Sequence, residues 1–373
     1  MCRGVALLGI PLIDLKAEYA ELREEVLEAI DDALGSMQLF LGPNVQALER
    51  DWAELCGTEH AVGVSDGTQA LHLALRAMGI EPGDEVITVS WTFFATIEAI
   101  IHAGATPKLV DIEPEHFGMD PEALVTAITE RTRAIIPVHV YGHPADMEKL
   151  RGICAPRGIR ILEDAAQAHG ATDKGKLVGS IGDAGIFSFY MSKNLAGYGE
   201  GGIVTTSDDE IAHKVKMLRD HGQAERGTFE CIGYNSRLDE LQAAIVRVKL
   251  QRLAENTAKR RRHAARYDEL LQHQDIITPQ VRPGCEHVYH LYTIRSKRRE
   301  EIKSALQTAD IAFATHYASP PHQQLACVAY GLDEAHLPVT EALADEVISL
   351  PMYPGLTGSQ IEQVAETILA TLS

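Results

Sequence analysis

The order of the elements predicted between residues 61 and 163 constrains the fold of this chain more than any other feature. Short apolar runs, beginning with residues 61–64, alternate with amphipathic helical segments, beginning with residues 68–78. Further apolar runs of strand length lie at residues 85–89, 107–111, 134–138 and 160–163. Strands that alternate with helices form a parallel sheet covered by helices on both faces. The sequence therefore predicts an α/β fold, with a large three-layer α/β/α domain and a mostly parallel sheet.

The pattern changes after residue 163. Two apolar runs, at residues 185–190 and 202–205, follow without long helices between them, which is typical of strands that close the same sheet. A long helix is then predicted over residues 237–271.

The C-terminal part has a third pattern, in which strands predicted at residues 290–295 and 311–315 flank a helix at 300–307. A chain of 373 residues has room for two domains at roughly 150 residues each. We predict a large domain over residues 1–252 and a smaller C-terminal α+β domain over residues 253–373.

The charge balance limits the classes of partner. Acidic residues number 53 and basic residues 34, which gives a formal charge of −19 and argues against a general nucleic-acid binder. No apolar run is long enough for a membrane helix, and the stretch at residues 1–11 is too short for a signal peptide. We expect no nucleic-acid or membrane partner.

The six cysteines are scattered and form no C-x-x-C pair. This spacing argues against a structural zinc site, and we expect no metal. Free thiols are typical of a reducing compartment, so the sequence predicts a cytoplasmic protein.

Two glycine motifs have competing interpretations. Residues 197–202 match G-x-G-x-x-G but precede a predicted strand, which is the wrong context for dinucleotide binding. Residues 63–67 match G-x-S-x-G, so a serine hydrolase that uses Ser65 is one alternative. The same turn can present backbone N–H groups at the start of a helix to a phosphate, or serve only as a helix cap.

The most specific stretch lies between residues 159 and 202. Asp164 follows one apolar strand and Lys193 follows another, and ligands of open α/β sheets bind beyond the carboxyl ends of such strands. Pyridoxal phosphate (PLP) requires a lysine that carries its aldehyde and an acid that pairs with its ring nitrogen. Taken alone, an Asp–Lys pair is more often a surface ion pair. Here the strongly apolar strand before Lys193 and the glycine loop after it favour the PLP hypothesis.

Several motifs together resemble the DegT/DnrJ/StrS-type aminotransferases, a family of PLP-dependent enzymes of fold type I. They lie at residues 65–71, 82–87, 163–167, 188–195 and 233–238, and the likeness extends over nearly the whole chain. The resemblance implies that Lys193 carries PLP as a Schiff base, that Asp164 holds the pyridine nitrogen and that Gln167 touches the ring hydroxyl. It also implies that Phe93 stacks on the ring. The phosphate would be held by Gly67, Thr68 and Ser188.

The same resemblance implies contacts beyond a single subunit. Asn235 would reach the phosphate in the neighbouring subunit, which implies a homodimer with shared sites. On the substrate side the resemblance points to Arg237, His316 and Tyr317.

The implied activity is a ping-pong aminotransferase. It would move an amino group from an amino acid, L-glutamate by resemblance, to a keto-sugar linked to a nucleotide, in amino-sugar biosynthesis. Its partners would then be small molecules. A non-nucleotide cyclic ketone such as a cyclitol is an alternative acceptor. A member that binds PLP but acts as a regulator is another alternative.

Overall fold

The structure, a computed structural model, describes residues 9–373. Residues 1–8, with Cys2 and most of the N-terminal stretch considered above, lie outside the described residues. The strands are β1 (His60–Val64), β2 (Glu85–Val89), β3 (Thr106–Val110), β4 (Thr132–Ile136), β5 (Arg160–Asp164), β6 (Thr172–Asp173), β7 (Lys176–Leu177), β8 (Ala184–Ser188), β9 (Gly202–Thr206), β10 (Gln223–Glu225), β11 (Thr228–Phe229), β12 (Cys285–Glu286), β13 (Tyr292–Arg295) and β14 (Val347–Leu350).

Helices connect most of these strands. They are α1 (Leu15–Ser36), α2 (Pro43–Cys56), α3 (Gly67–Ala77), α4 (Ala95–His102), α5 (Pro121–Ala127), α6 (Met147–Cys154), α7 (Asp209–Arg219), α8 (Glu240–Leu250), α9 (Leu253–Leu270), α10 (Arg299–Thr308), α11 (Leu325–Val328), α12 (Pro338–Glu346) and α13 (Gly358–Leu372). None of the helices within residues 9–373 combines the length and the apolar character needed to span a membrane.

One seven-stranded sheet, in the order β1-β9-β8-β5-β4-β2-β3, forms the centre of the structure. β9 pairs antiparallel with both β1 and β8, and the remaining pairs are parallel. Six strands therefore run in the same direction, and the predicted α/β class with a mostly parallel sheet is confirmed. Their carboxyl ends meet at one edge, where ligands of such sheets bind.

Alternate residues of the strands face two different apolar layers. Val62, Val64 and Leu162 pack with α3 and α7 on one face of the sheet, whereas Ala61 and Ile161 belong to clusters on the other face. Burial on both faces explains why the strands are nearly continuous apolar runs.

A separate apolar cluster fills the C-terminal part, where β13 pairs with β14 and packs against α9, α10 and α13. Ile10 joins this cluster and forms a bridge with Ile311, so the first described residues pack with the C-terminal part. The division into residues 1–252 and 253–373 stays a prediction.

The predicted continuous helix over residues 237–271 is wrong. The chain is extended near Arg237, which bridges Val64, and the helical segment breaks between α8 and α9. The two halves have different partners, because α8 packs against α1 and α2 whereas α9 packs against α13.

The predicted strand at residues 311–315 is also wrong. Ile311 and Ala314 form only isolated bridges, and the partner of β13 is β14. Two elements were not predicted from the sequence: β14, and α7, whose N-cap Asp208 accepts hydrogen bonds from the backbone N–H groups of Glu210 and Ile211.

Candidate active site

The carboxyl ends of β5 and β8 and the start of α3 line one cavity of about 690 Å³. Asp164 is the last residue of β5 and Ser188 the last of β8, and Gly67 begins α3 after the turn that follows β1. Lys193 lines the same cavity from the loop between β8 and β9. The topology thus brings together side chains that are far apart in sequence.

The N-terminus of α3 provides free hydrogen-bond donors. The Asp66 carboxylate caps the helix by accepting from the backbone N–H of Gln69 at 2.8 Å. The N–H groups of Gly67 and Thr68 lie in the first turn, where no intrahelical acceptor exists. They line the cavity and can bind an anion such as a phosphate.

Gly67 also sets the distance between α3 and β8. A Cβ atom at this position would lie 2.8 Å from Cβ of Ser188, which is too close for a real contact, and 3.1 Å from its Oγ, which is tighter than most. The absence of a side chain lets the Ser188 hydroxyl approach the helix terminus. The two elements together form a cradle of the right chemistry for a phosphate group.

Asp164 is buried and held in one orientation. Thr96 Oγ1 donates to its Oδ2 at 2.8 Å, and the backbone N–H of Ala166 donates to its Oδ1 at 3.2 Å. Burial raises the pKa of this carboxyl, although these hydrogen bonds and the charge of Lys193 act in the opposite direction. A cation placed in the cavity beside it would stabilise the charged form.

Lys193 has an amine that can be neutral near physiological pH. Burial lowers its pKa from the ordinary value of 10.5 to about 8, while the negative charge of Asp164 acts in the opposite direction. A lysine with a depressed pKa serves both as a nucleophile toward carbonyl carbon and as a general base. The lining residues thus include such an amine, in the loop after β8, and a buried acid, at the end of β5.

The other predicted residues of the cavity lie around these two. Gln167 donates from Nε2 to the Tyr317 hydroxyl at 2.9 Å, while its Oε1 accepts from the backbone of Tyr141 at 2.6 Å. His316 contacts Ser349, with its Nδ1 at 2.9 Å from the serine Oγ. Phe93 also lines the cavity and is 63% exposed, so its side chain is accessible to a ligand.

Asn235 and Arg237 do not line this cavity. Arg237 pairs with Asp220 and donates to Asn235 Oδ1 at 2.7 Å, and its guanidinium lies 5.0 Å from the centre of the Phe40 ring. Asn235 is exposed. The contribution of Asn235 to a neighbouring subunit and of Arg237 to substrate binding stay predictions.

Ser65 lacks the partners of a hydrolase nucleophile. Its hydroxyl donates to the adjacent Asp66 at 2.8 Å and contacts the Ser236 hydroxyl at 2.9 Å. Within residues 9–373 no histidine forms a hydrogen bond with Ser65, and Ser65 does not line the cavity. Its turn instead supports the capped start of α3.

Sequence reasoning missed Thr96 and His290 as site residues. Thr96 lies 68 positions from the carboxylate that it orients, and no local motif connects them. His290 lines the cavity two residues before β13. It is the first residue of the strand predicted at residues 290–295, but that position does not indicate a role in the cavity.

Comparison with known proteins identifies the family. Residues 20–369 match the DegT/DnrJ/EryC1/StrS aminotransferase family. The chain belongs to this family. The fold is that of its PLP-dependent transferases, and the protein is a PLP-dependent aminotransferase. The predicted family, fold and enzyme class are confirmed.

Three similar proteins illustrate the relationship. The chain is 45% identical to UDP-N-acetyl-3-dehydro-alpha-D-glucosamine 3-aminotransferase of Acidithiobacillus ferrooxidans, over 98% of each chain. It is 43% identical to the Pleiotropic regulatory protein of Geobacillus stearothermophilus, over 97% of this chain and 98% of the relative. The crystal structure of Streptomyces venezuelae DesV with a ketimine intermediate superposes with a TM-score of 0.95, at 43% identity, over 98% of this chain and 99% of DesV.

The residues of the cavity fit PLP. The α3 terminus and the Ser188 hydroxyl offer donors for a phosphate, Lys193 offers an amine for an aldehyde, and Asp164 offers a buried carboxylate for a protonated ring nitrogen. These are the three functions that the cofactor requires of its protein.

The depressed pKa of Lys193 predicts a pH-dependent stability of the cofactor-free protein. Between pH 8 and 10.5 an unfolded lysine binds a proton that the folded Lys193 has lost, so the free energy of unfolding should rise with pH. Over this pH range the free energy of unfolding of the wild type should rise by up to about 3 kcal/mol relative to that of Lys193→Met, whose side chain at this position cannot titrate. Urea unfolding of both cofactor-free proteins across this range measures the difference. A constant difference would show that Lys193 keeps an ordinary pKa, and a difference that shrinks as the pH rises would show that folding raises its pKa; either result would contradict the prediction.

Proposed function

We propose that this aminotransferase transfers the amino group of L-glutamate to carbon 3 of a keto-sugar that is linked to a nucleoside diphosphate. The main support is the relative from A. ferrooxidans, whose name specifies a UDP-linked 3-keto sugar as its substrate. Its similarity to this protein extends over 98% of both chains. A cavity of about 690 Å³ has room for a sugar beside the cofactor.

We assign the roles in the site as the resemblance to the family implies. Gly67, Thr68 and Ser188 hold the phosphate, Asp164 binds the ring nitrogen, Gln167 contacts the ring hydroxyl and Phe93 packs on the ring face. When bound, PLP supplies an aldehyde that condenses with amines and a ring that delocalises the electrons of an adjacent carbanion. Asp164 supports this by keeping the ring nitrogen protonated, and Thr96 and Ala166 keep its carboxylate in place.

Lys193 moves the proton in both half-reactions. In the first, its neutral Nζ would remove the proton from the α carbon of glutamate and then donate it to the cofactor, which leaves the amine neutral again. In the second, Nζ would take a proton back from the cofactor and donate it to the sugar carbon that receives the amino group. Because the pKa of Lys193 is about 8, both protonation states are accessible near neutral pH.

A panel of keto-sugars tests the substrate. With L-glutamate as donor, kcat/KM for a UDP-linked 3-keto hexose should exceed that for a 4-keto hexose by at least about 100-fold. The amino sugar is detected by mass, and Lys193→Ala, which should fold but give no product, is the control. Selective turnover of 4-keto sugars or of cyclic ketones without a nucleotide would overturn the proposed substrate.

The relative named as a pleiotropic regulatory protein suggests a second candidate, a regulator that binds the cofactor without catalysis. Such a protein would show the visible absorption band of bound PLP, but the band would not change when amino acids are added. Lys193 and Asp164 are both present in the cavity, which favours the enzyme.

We also propose that the protein is a homodimer in which Asn235 completes the site of the partner. Asn235 is exposed, and large apolar side chains nearby in the chain are exposed too, Phe229 by 62% and Ile232 by 90%. Phe40, which lies against Arg237, is 64% exposed. Exposed apolar groups of this size around a polar residue are typical of an interface between proteins.

Mixed dimers test whether the site is shared. Subunits that carry Lys193→Ala are combined with subunits that carry Asn235→Asp, which places a negative charge beside the phosphate. If Asn235 serves the partner, one of the two sites is intact, and the mixed dimer should have about half of the wild-type activity. If each subunit uses its own Asn235, both sites are defective and the mixed dimer is inactive. Mixed dimers of two differently tagged Lys193→Ala subunits give the background.

We further propose that the chain divides near residue 252 and functions in the cytoplasm. The domain boundary is supported by the break between α8 and α9 and by the separate apolar cluster after it.

The cytoplasmic location is supported by the cysteines, because free thiols are typical of a reducing compartment. The free thiols are Cys56, Cys154, Cys231, Cys285 and Cys327.

A further inference from the structure

The His290 side chain has a single hydrogen-bond partner within residues 9–373. The side chain is only 6% exposed and lines the cavity that contains Lys193. Its Nδ1 lies 3.4 Å from Oδ1 of Asn194. Its Nε2 has no hydrogen-bond partner within residues 9–373. It is also not one of the unpaired polar atoms that are fully buried among those residues, so it keeps some accessible surface. This nitrogen is therefore open to the cavity.

Asn194 fixes the tautomer of His290. The amide nitrogen of Asn194 donates to the backbone carbonyl of Val288 at 3.1 Å, so its oxygen must be the atom that faces His290. An amide oxygen can only accept, and Nδ1 must therefore carry the proton. In a neutral ring Nε2 then has a free lone pair. This assignment follows from the hydrogen-bond network, which is how histidine tautomers are assigned.

The surroundings keep His290 neutral. Burial lowers its pKa well below the ordinary value of 6.5, and the positive charges of Lys193 and Arg260 act in the same direction. His316, which also lines the cavity, is not restricted in this way, because its partner Ser349 can either donate or accept. His290 thus presents a hydrogen-bond acceptor of fixed orientation.

An acceptor at this position discriminates between the two substrates. The carboxylates of an amino acid can only accept hydrogen bonds, so they gain nothing from a lone pair and are repelled by it. A sugar carries hydroxyl or amide N–H groups that donate. A buried acceptor left without a donor costs binding free energy, so a substrate that supplies one is favoured.

We propose that His290 Nε2 accepts a hydrogen bond from an O–H or N–H group of the sugar and selects sugars that carry this donor. The inference rests on the proposed function, since it concerns the second substrate of the same site. It makes His290 a specificity-determining residue for the sugar half-reaction.

Separate measurement of the two half-reactions tests this role. The amino donors are L-glutamate and the UDP-linked 3-amino derivative of N-acetylglucosamine, and single-turnover changes in the visible spectrum give both rates. In His290→Leu, kcat/KM should fall at least about 10-fold more for the amino sugar than for glutamate. His290→Gln, which keeps an acceptor, should recover most of the loss. Thermal unfolding of each variant shows whether the fold is retained.

The protonation state can be observed without catalysis. Neutron diffraction from deuterated crystals of the holoenzyme should place a deuteron on Nδ1 of His290 and none on Nε2. A deuteron on Nε2 would overturn the proposal, because that nitrogen would then be a donor.

The possible failures are distinguishable. Equal losses for both amino donors in His290→Leu, in an enzyme whose wild type uses the amino sugar, would overturn the role of His290 alone. If the wild type uses no nucleotide sugar, the proposed function fails, and the proposed role of His290 fails with it.

Discussion

The chemistry of this protein depends on two ionisable groups that are withdrawn from water in one cavity beyond neighbouring strands. Asp164 ends β5, and Lys193 lies in the loop that follows the adjacent strand β8, so the order of the strands brings both to the same cavity. Burial raises the pKa of the acid and lowers that of the amine, and each charge partly offsets this effect on the other. The fold thereby keeps an amine and an acid in one cavity. A cofactor with an aldehyde and a protonated ring nitrogen can react with the amine and pair with the acid.

Negative net charge and anionic ligands would conflict if attraction over long distances were needed. The chain carries a formal charge of −19, whereas PLP and the proposed diphosphate substrate are both anions. In our proposal the attraction is local: the N–H groups of Gly67 and Thr68 at the start of α3 and the hydroxyl of Ser188, which line the cavity, would bind the phosphate. Oriented donors near a helix terminus bind a phosphate without a basic surface.

The sequence predicts the sheet well, because each of its strands is a short apolar run with turn residues on either side. It predicts Asp164 and Lys193 because each follows such a run and belongs to a motif. The prediction fails where contacts between distant segments determine the structure. The partner of β13 is β14 rather than residues 311–315, and the helix break at Gln251 depends on the elements that α8 and α9 contact. The roles of Thr96 and His290 were not predictable for the same reason, since each depends on a neighbour that is distant in sequence.

The central claim is that Lys193 is the residue that carries the cofactor aldehyde. Borohydride reduction of the holoenzyme fixes the cofactor covalently to its lysine, and mass spectrometry of proteolytic peptides locates it. The account predicts the pyridoxyl group on the peptide that contains Lys193, with loss of the visible band. Modification of another lysine instead, such as the buried Lys249 that pairs with Glu18, would contradict it.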